Sequence, residues 1–331
     1  MNLPGSTIAR RAAALVAAAV AATLLAGCAG GGDASPGGAD TVTVASAYGE
    51  VEVPVEPQRV AAVSYDTPWQ LKSLDVRPIA TIDYSQWADS YTSEQLDFIA
   101  DAEAIGTFGE INFEALTAAA PDLIIGDAYE VDEATFARLE DIAPTVIVGG
   151  GADRGDWQAI TKDAAAAVNR MDVWEADRAA YEELRDRTVE QYREVIEGNT
   201  WINFSLGDDA GQFSVQLPSG SNGNLVVNEM GMAYGPGAAA LEEPNGAGYA
   251  SLGLEQLPTV FAGVTAAITF AQPDGSPFEP IQTIMDTELF RSLDVAKNDR
   301  VFLVSTSVTD YDTAQDWIAE LTANVLEPLA G

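Results

Sequence analysis

The chain has 331 residues, with 51 acidic side chains against 16 basic ones and no histidine, which gives a formal net charge of −35 at pH 7. Such an acidic surface opposes nucleic-acid binding and favours cationic or neutral partners. The absence of histidine excludes His-dependent catalytic triads and most zinc or manganese cages, so we expect no resident cofactor and no metal site of the protein itself.

The first 27 residues have the pattern of an export signal. Arg10 and Arg11 precede the apolar run Ala12–Leu25, which is too short to be a convincing membrane span. The run ends in Leu25-Ala26-Gly27-Cys28, which resembles the lipobox of bacterial lipoproteins, where the cysteine is diacylated and becomes the first mature residue. Cys28 is the single cysteine of the chain, so lipidation would leave no thiol. A chance cysteine in an ordinary signal peptide is the alternative, and the export route stays open.

Two acyl chains hold a protein on a membrane far more firmly than one, so we expect an anchor on the outer face of the cell membrane. Residues 28–40 follow as a flexible tether, because Ala29–Asp40 is rich in glycine and has no hydrophobic periodicity. Loss of residues 1–27 removes two arginines and changes the formal charge from −35 to −37. The mature chain is therefore strongly acidic.

Strand and helix patterns alternate between residues 41 and 155, which we assign to a first lobe. Arg59–Val63, a short helix near Trp69 and Pro78–Ile82 form a strand, helix, strand unit that implies a right-handed parallel crossover. The other predicted strands are Thr41–Ala45, Glu50–Val53, Asp122–Ile125 and Thr145–Val148, and the other predicted helices are Ser93–Ala100, a helix capped by Asn112 that ends at Ala119, and Asp132–Glu140.

Residues 156–198 are predicted to be a helical connector. After the amphipathic helix Asp156–Asn169, the segment Asp172–Glu197 is the longest helical pattern of the chain, with an N-cap signature at Asp172 and no internal glycine or proline. At about 1.5 Å per residue it would span roughly 39 Å, which is enough to join two lobes. The alternative is a surface helix of one large domain.

Residues 199–331 repeat the mixture of strands and helices and are assigned to a second lobe. The expected fold class is therefore α/β, with two lobes that each contain a mainly parallel sheet with flanking helices and are bridged by one long α-helix. The predicted strands are Trp201–Leu206, Gln212–Gln216, Ala266–Phe270 and Val301–Val304, and the predicted helices are Leu225–Met230, Ile281–Ser292 and Thr313–Leu329.

Several stretches resemble substrate-binding proteins that serve ABC importers of the iron-siderophore and cobalamin type, the class with a long connecting helix. The likeness covers residues 41–329, and its motifs are Val55–Ala62, Ile105–Leu116, Ala120–Ile125, Ile142–Val146 and Leu252–Leu257. The resemblance implies a ligand held in a cleft between the lobes, where open sheets place crevices at the carboxyl ends of their strands. It also implies that the long helix is a rigid connector, so we expect only small lobe closure.

The resemblance implies extracytoplasmic capture of a ferric siderophore and its delivery to an ABC permease, with iron present as part of the ligand. A hydroxamate complex is favoured because the strand Trp201–Leu206 has no basic residue and Lys72, Lys162 and Lys297 are the only lysines. Arg77, Arg138 or Arg154 could still approach the cleft. Cobalamin, haem and ferric citrate remain rival ligands. We expect a monomer.

Glu114 and Glu255 have similar sequence contexts in the two halves, since each follows an apolar residue and precedes any residue and Leu. The resemblance implies that one glutamate per lobe pairs with arginines of the permease. A purely structural role is the alternative, because a carboxylate in the first turn of a helix is favoured by the helix dipole.

Aromatic side chains that cluster near strand ends are the candidate ligand contacts, because flat rings with polar tips suit a bulky amphipathic ligand. Each of them could instead belong to the core, and only Tyr84 and Trp87 lie in a polar loop that favours exposure. The candidates are Tyr65, Trp69, Tyr84, Trp87, Phe108, Tyr129, Phe204, Phe213, Tyr234 and Phe270.

Two functions of other classes compete with ligand capture for transport. An extracytoplasmic enzyme would need carboxylate pairs such as Asp208-Asp209 or Glu242-Glu243, but these are typical of solvated turns. A ligand-sensing or adhesion lipoprotein on the same fold would not need Glu114 and Glu255. We therefore expect no enzymatic activity.

Overall fold

A computed structural model describes residues 40–150, 156–243 and 246–331. The predicted leader, the lipidation site Cys28, nearly all of the tether and Arg154 lie outside these residues.

The first lobe is built on a parallel sheet, with two hairpins beside it. The hairpins are β1–β2 and β6–β7, and the sheet has the strand order β5-β4-β3-β8-β9. The parallel pairing of Ala61 with Ala80 confirms the predicted crossover. The strands are β1 (Thr41–Ser46), β2 (Gly49–Pro54), β3 (Val60–Ala62), β4 (Ala80–Thr81), β5 (Glu103–Ala104), β6 (Gly106–Thr107), β7 (Glu110–Ile111), β8 (Leu123–Asp127) and β9 (Thr145–Val148).

Helices cover both faces of this sheet, and one of them begins at Asn112, the cap that the sequence predicts. Asn112 Oδ1 accepts hydrogen bonds from the amides of Glu114 and Ala115 at 3.1 Å each, and Asp132 Oδ1 accepts one from the amide of Thr135 at 2.7 Å. Such caps satisfy amides that have no partner within the helix. The helices are α1 (Thr67–Ser73), α2 (Ser93–Ile99), α3 (Phe113–Ala119) and α4 (Glu133–Glu140).

The connector consists of α5 (Trp157–Ala167), α6 (Met171–Gln191) and α7 (Arg193–Gly198). The prediction of one unbroken helix over Asp172–Glu197 is wrong, because the helix is interrupted at Tyr192. The predicted cap at Asp172 is also wrong, since α6 begins one residue earlier, after Arg170, without a side-chain cap.

Packing explains the break in the connector. Tyr192 is 8% exposed and lies in a second-lobe core with Ile196, so the final turns pack against that core. At the other end of α6, the half-buried Trp174 packs against the cores of both lobes. The connector is therefore fixed to each lobe by buried apolar contacts.

The second lobe contains a mixed sheet with the strand order β12-β11-β10-β13-β14. Strands β10, β13 and β14 are parallel, while β11 is antiparallel to both of its neighbours. The α/β fold class with two sheet-based lobes is confirmed, and the strand after residue 248 was not anticipated. The strands are β10 (Trp201–Leu206), β11 (Gln212–Gln216), β12 (Tyr249–Gly253), β13 (Ala266–Phe270) and β14 (Val301–Val304).

Most helices of the second lobe are short. The predicted helix over Ile281–Ser292 divides into two, because Asp286 ends the first helix and Thr287 caps the second. The helices are α8 (Ser221–Asn224), α9 (Pro236–Ala239), α10 (Leu257–Val260), α11 (Glu279–Met285), α12 (Glu288–Arg291), α13 (Asp294–Lys297), α14 (Tyr311–Leu321) and α15 (Glu327–Ala330), with π-helical turns at Leu225–Glu229 and Thr322–Leu326.

Asp310 caps α14 from a buried position and makes the stability dependent on pH. Its Oδ1 accepts a hydrogen bond from the amide of Thr313 at 2.9 Å, and Thr309 Oγ1 donates to its Oδ2 at 2.8 Å. Burial nevertheless raises the pKa of Asp310 to about 6. Burial also raises the pKa values of Asp177 and Asp312, so these carboxyls act in the same direction.

We expect the free energy of unfolding to fall as the pH rises from about 4 to 6 and to level off above that. An unfolded aspartate has a pKa near 3.9, so the folded chain binds more protons in this window, and the Asp310 contribution amounts to roughly 2 to 3 kcal/mol. In Asp310→Asn, which keeps an oxygen acceptor, this slope should be reduced. Urea unfolding at several pH values measures it.

The matched control is Asp132→Asn, at the exposed cap of α4. Hydrogen bonds from Thr135 lower the pKa of Asp132, so its contribution is lost only as the pH falls through that lowered value. The control should therefore keep the wild-type slope between pH 4 and 6. An equal slope in wild type and Asp310→Asn would contradict the assignment.

Candidate functional site

The carboxyl ends of the parallel strands of both lobes meet at one cleft. Tyr65 follows β3, Tyr129 follows β8, Phe270 ends β13 and Thr309 follows β14. A cavity between the lobes is lined by Tyr65 and Thr309 together with Phe270, and a second, at the floor near α5, is lined by Tyr129 and Thr309. This is the edge at which open α/β sheets place their ligands.

The first lobe contributes an aromatic cluster to the cleft. The ring of Tyr65 lies 5.1 Å from that of Trp87 and 5.7 Å from that of Phe108, both in edge-to-face geometry. Phe108 is 43% exposed, whereas Trp69 and Tyr84 behind it are 2% and 4% exposed. The exposed rings therefore rest on buried ones, which fixes their orientation.

Tyr84 acts as a support for Tyr65 and does not line the cleft. Its hydroxyl donates a hydrogen bond to the carbonyl oxygen of Tyr65 at 2.5 Å. Burial raises the pKa of this hydroxyl far above its usual value, so it remains a donor. The prediction that its polar loop exposes Tyr84 is wrong, because the ring packs against Trp69 and Ile82.

Phe204 and Phe213 have no exposed surface and belong to the core of the second lobe with Phe261 and Phe290. A side chain without exposed surface cannot contact a ligand in this conformation, so we remove both from the candidate set. The half-buried Tyr234 donates a hydrogen bond from its hydroxyl to the carbonyl oxygen of Gln216 at 2.8 Å and lines none of the described cleft cavities.

Uncharged polar side chains of the second lobe form the opposite wall, and none of them is among the ligand contacts predicted from the sequence, although their neighbour Phe204 is. They face a cavity of about 250 Å³ that Phe270 also borders. Asn203 and Ser205 alternate along β10 with the buried Ile202 and Phe204, so the strand pleat places them on the other face of the sheet. The alternation of polar and apolar residues is visible in the sequence and could have identified this wall. The lining polar residues are Asn203, Ser205, Ser214, Gln216, Asn222 and Tyr249.

No lysine or arginine lines these three cavities within residues 40–150, 156–243 and 246–331. The Arg77 guanidinium donates to the carbonyl oxygen of Phe98 at 2.7 Å, and that of Arg138 stacks 3.5 Å from the ring centre of Phe113. Lys72 pairs with Glu94 at 2.8 Å. These cations are held by other partners outside the cleft walls.

The two carboxylate pairs considered for catalysis lie in loops. Asp208 Oδ1 accepts a hydrogen bond from the hydroxyl of Tyr249 at 2.7 Å, and Glu243 Oε1 accepts one from the amide of Gly248 at 2.5 Å. Within the described ranges, no group of three or more acidic or cysteine side chains has the arrangement of a metal site.

Glu114 lies in the first turn of α3 with an exposed carboxylate. The helix begins at the carboxyl edge of the first-lobe sheet, because it follows β5 and leads into β8. In the described ranges no ion pair involves Glu114, so its charge faces solvent.

Glu255 is also exposed and lies in a short 3₁₀ turn, Leu254–Gln256, directly after β12. A Cβ atom at Gly253 would approach both carboxylate oxygens to 2.4 Å, so the glycine leaves room for this carboxylate to fold back over the strand end. Gly253 pairs with Gln212 next to the end of β10, so Glu255 too lies at the carboxyl edge of its sheet. Glu114 and Glu255 are thus both exposed at the edge that carries the cleft.

Among the helices of the described residues, none has both the length and the apolar character that a membrane span requires.

Comparison with known proteins places the chain among extracytoplasmic binding proteins. Residues 60–307 match the family model described as periplasmic binding protein. The Fe(3+) dicitrate-binding periplasmic protein FecB of Escherichia coli (strain K12) is 25% identical over 222 residues, which cover 67% of this chain and 70% of that protein. The iron(3+)-hydroxamate-binding protein FhuD of Bacillus subtilis (strain 168) is 25% identical over 273 residues, which cover 80% of this chain and 79% of that protein.

A solved structure has the same fold. The siderophore periplasmic binding protein from the fuscachelin gene cluster of Thermobifida fusca superposes with a TM-score of 0.69 at 20% identity, over 84% of this chain and 98% of that one. The family model covers well over half of the chain. The chain therefore belongs to the periplasmic binding protein family.

Proposed function

We propose that this protein captures a ferric siderophore of the hydroxamate type outside the cytoplasm and delivers it to an ABC permease. Relatives named for binding ferric dicitrate and ferric hydroxamate support an iron complex as ligand. The family consists of binding proteins, which agrees with the expectation that the chain has no enzymatic activity. Cys28 would hold the mature protein on the outer face of the membrane, as a monomer with a flexible tether.

The uncharged polar wall of the second lobe is the observation that favours a hydroxamate. Three hydroxamate groups neutralise Fe³⁺, whereas three catecholates leave a trianion that needs cationic partners in a cleft. The wall of Asn203, Ser205 and Gln216 offers amide and hydroxyl groups for hydrogen bonds to a neutral complex. The exposed ring of Phe270, which borders the same cavity, would cover its apolar parts.

Quenching of the intrinsic tryptophan fluorescence would measure the affinity for a panel of ligands. We expect a ferric trihydroxamate to bind with a Kd below about 1 µM, which corresponds to roughly −8 kcal/mol. Ferric tris-catecholate, ferric citrate and haem should bind at least about a hundredfold more weakly, because the described cleft walls lack cations for these anionic ligands. Absence of binding by any ferric trihydroxamate would overturn the proposal.

Phe270→Ala tests whether the cleft is the binding site. Removal of this ring from the centre of the cleft should weaken ferric trihydroxamate binding by about tenfold or more, since the apolar area covered by the ligand is lost. Phe302→Ala is the matched control, because Phe302 packs against the second-lobe core and lines none of the three cavities. Equal loss of affinity in both variants would contradict this location.

A further inference from the structure

A second chamber opens between the lobes beside the polar wall. Its volume is about 210 Å³, and more of its lining is apolar than polar. The first lobe contributes Tyr65, Trp69 and Tyr91, and the second lobe contributes Phe270 and Phe278. We call this space the interlobe chamber.

The chamber walls are held in place by contacts within each lobe. The ring of Trp69 lies 4.7 Å from that of Tyr91, which in turn lies 6.2 Å from that of Tyr65. On the other side, the amide of Gln272 donates to the carbonyl oxygen of Ser276 at 2.8 Å, and Ala271 bridges to Pro277, so the loop before Phe278 is well defined. The walls of the chamber therefore have a defined conformation in both lobes.

Gln95 lies at the rim and already has a partner inside the protein. Gln95 Oε1 accepts a hydrogen bond from the amide of Thr92 at 3.0 Å as part of the capping box of α2. A polar ligand group beside Gln95 would therefore gain little binding free energy. An apolar ligand group would gain more, because its surface is removed from water when it packs against the aromatic rings.

Phe270 borders both the interlobe chamber and the polar cavity of the second lobe. The two spaces are therefore adjacent parts of one cleft with different chemistry. A ligand that fills both must combine a polar head with an apolar part.

We propose that the interlobe chamber binds an apolar appendage of the ferric ligand, either an aryl ring or a short acyl chain, while the iron-bearing head lies against the polar wall. This inference rests on the proposed function and specifies the class of ligand further. A cavity of about 150 Å³ lined by aliphatic and aromatic side chains already accommodates a benzene ring, so the chamber is large enough for such a group.

The test compares two ferric trihydroxamates with the same head, one unmodified and one that carries a benzoyl or octanoyl group on its terminal amine. We expect the acylated complex to bind the wild-type protein at least about tenfold more tightly, because burial of apolar surface adds to the affinity. Tryptophan fluorescence quenching, supported by calorimetry, gives both Kd values.

Two variants that fill the chamber locate the effect. Ser307→Phe and Ser90→Phe each add a ring from an exposed serine, one from each lobe, and both serines line the chamber. Both variants should lose the gain from acylation and should bind the unmodified complex within about twofold of the wild-type Kd. Ser292→Phe, at an exposed serine of the second lobe that does not line the chamber, should keep the full gain.

The outcomes separate this inference from the proposed function. If both complexes bind the wild-type protein equally well, or if the gain persists in Ser307→Phe and Ser90→Phe, the chamber does not hold the appendage, and the proposed function stands. If neither complex binds, the proposed function and the inference both fail.

Discussion

Simultaneous replacement of Glu114 and Glu255 by alanine is expected to lower uptake of the ferric ligand by more than about tenfold. The Kd of the ferric ligand for the isolated variant should stay within about twofold of the wild-type Kd. Both carboxylates are exposed at the carboxyl edge of their lobes and line none of the cleft cavities. Removal of one partner from a hydrogen-bonded charge pair that is buried at an interface costs about 2 to 5 kcal/mol of binding free energy. This cost is sufficient for the expected loss of uptake.

The single substitutions should have smaller effects than the double substitution, since each lobe would keep one contact with the permease. Uptake of radiolabelled iron in cells that depend on this protein measures the change, and fluorescence quenching measures the Kd. Glu140→Ala combined with Glu288→Ala is the matched control, because both residues are exposed and lie at other positions of the two lobes. Undiminished uptake in the Glu114 and Glu255 double variant would refute the docking role.

Trp201→Ala is expected to lower the free energy of unfolding strongly. Trp201 begins β10, has no exposed surface, and donates a hydrogen bond from its indole Nε1 to the carbonyl oxygen of Ile196 at 3.0 Å. It thereby joins the last helix of the connector to the sheet of the second lobe. Truncation of a buried tryptophan costs about 3 to 5 kcal/mol, which is a large part of the total stability of a typical protein.

Urea unfolding followed by circular dichroism would measure this loss. Trp201→Phe should lose only about 1 to 2 kcal/mol, because most of the ring volume stays and one hydrogen bond is removed. Phe108→Ala serves as the control for ring removal at an exposed position and should change the stability far less. A similar loss in Trp201→Ala and Phe108→Ala would show that Trp201 does not have this structural role.

Local sequence patterns were sufficient for most elements of the fold. The cap at Asn112 occurs where it is predicted, because capping depends on hydrogen bonds between residues two or three positions apart. Strands such as Thr145–Val148 and Trp201–Leu206 also have the predicted bounds, since short apolar or alternating runs between turns define them.

Tertiary packing decided where the connector breaks. The segment around Tyr192 has no glycine or proline, so its helical pattern continues without a visible stop. The break arises because Tyr192 enters the second-lobe core. That core is formed by residues more than a hundred positions away, such as Val325 and Leu326, and a local pattern does not contain this information.

The sequence by itself determined the acidic charge, the absence of histidine and the presence of aromatic side chains near strand ends. Which rings face the cleft was decided only by the tertiary structure. Phe204 and Phe270 both lie on strands of one sheet, yet Phe204 is enclosed by packed helices and Phe270 remains 37% exposed at a strand end. The physical reason is that exposure depends on which elements cover each face of the sheet, and this depends on contacts between residues that are distant in the chain.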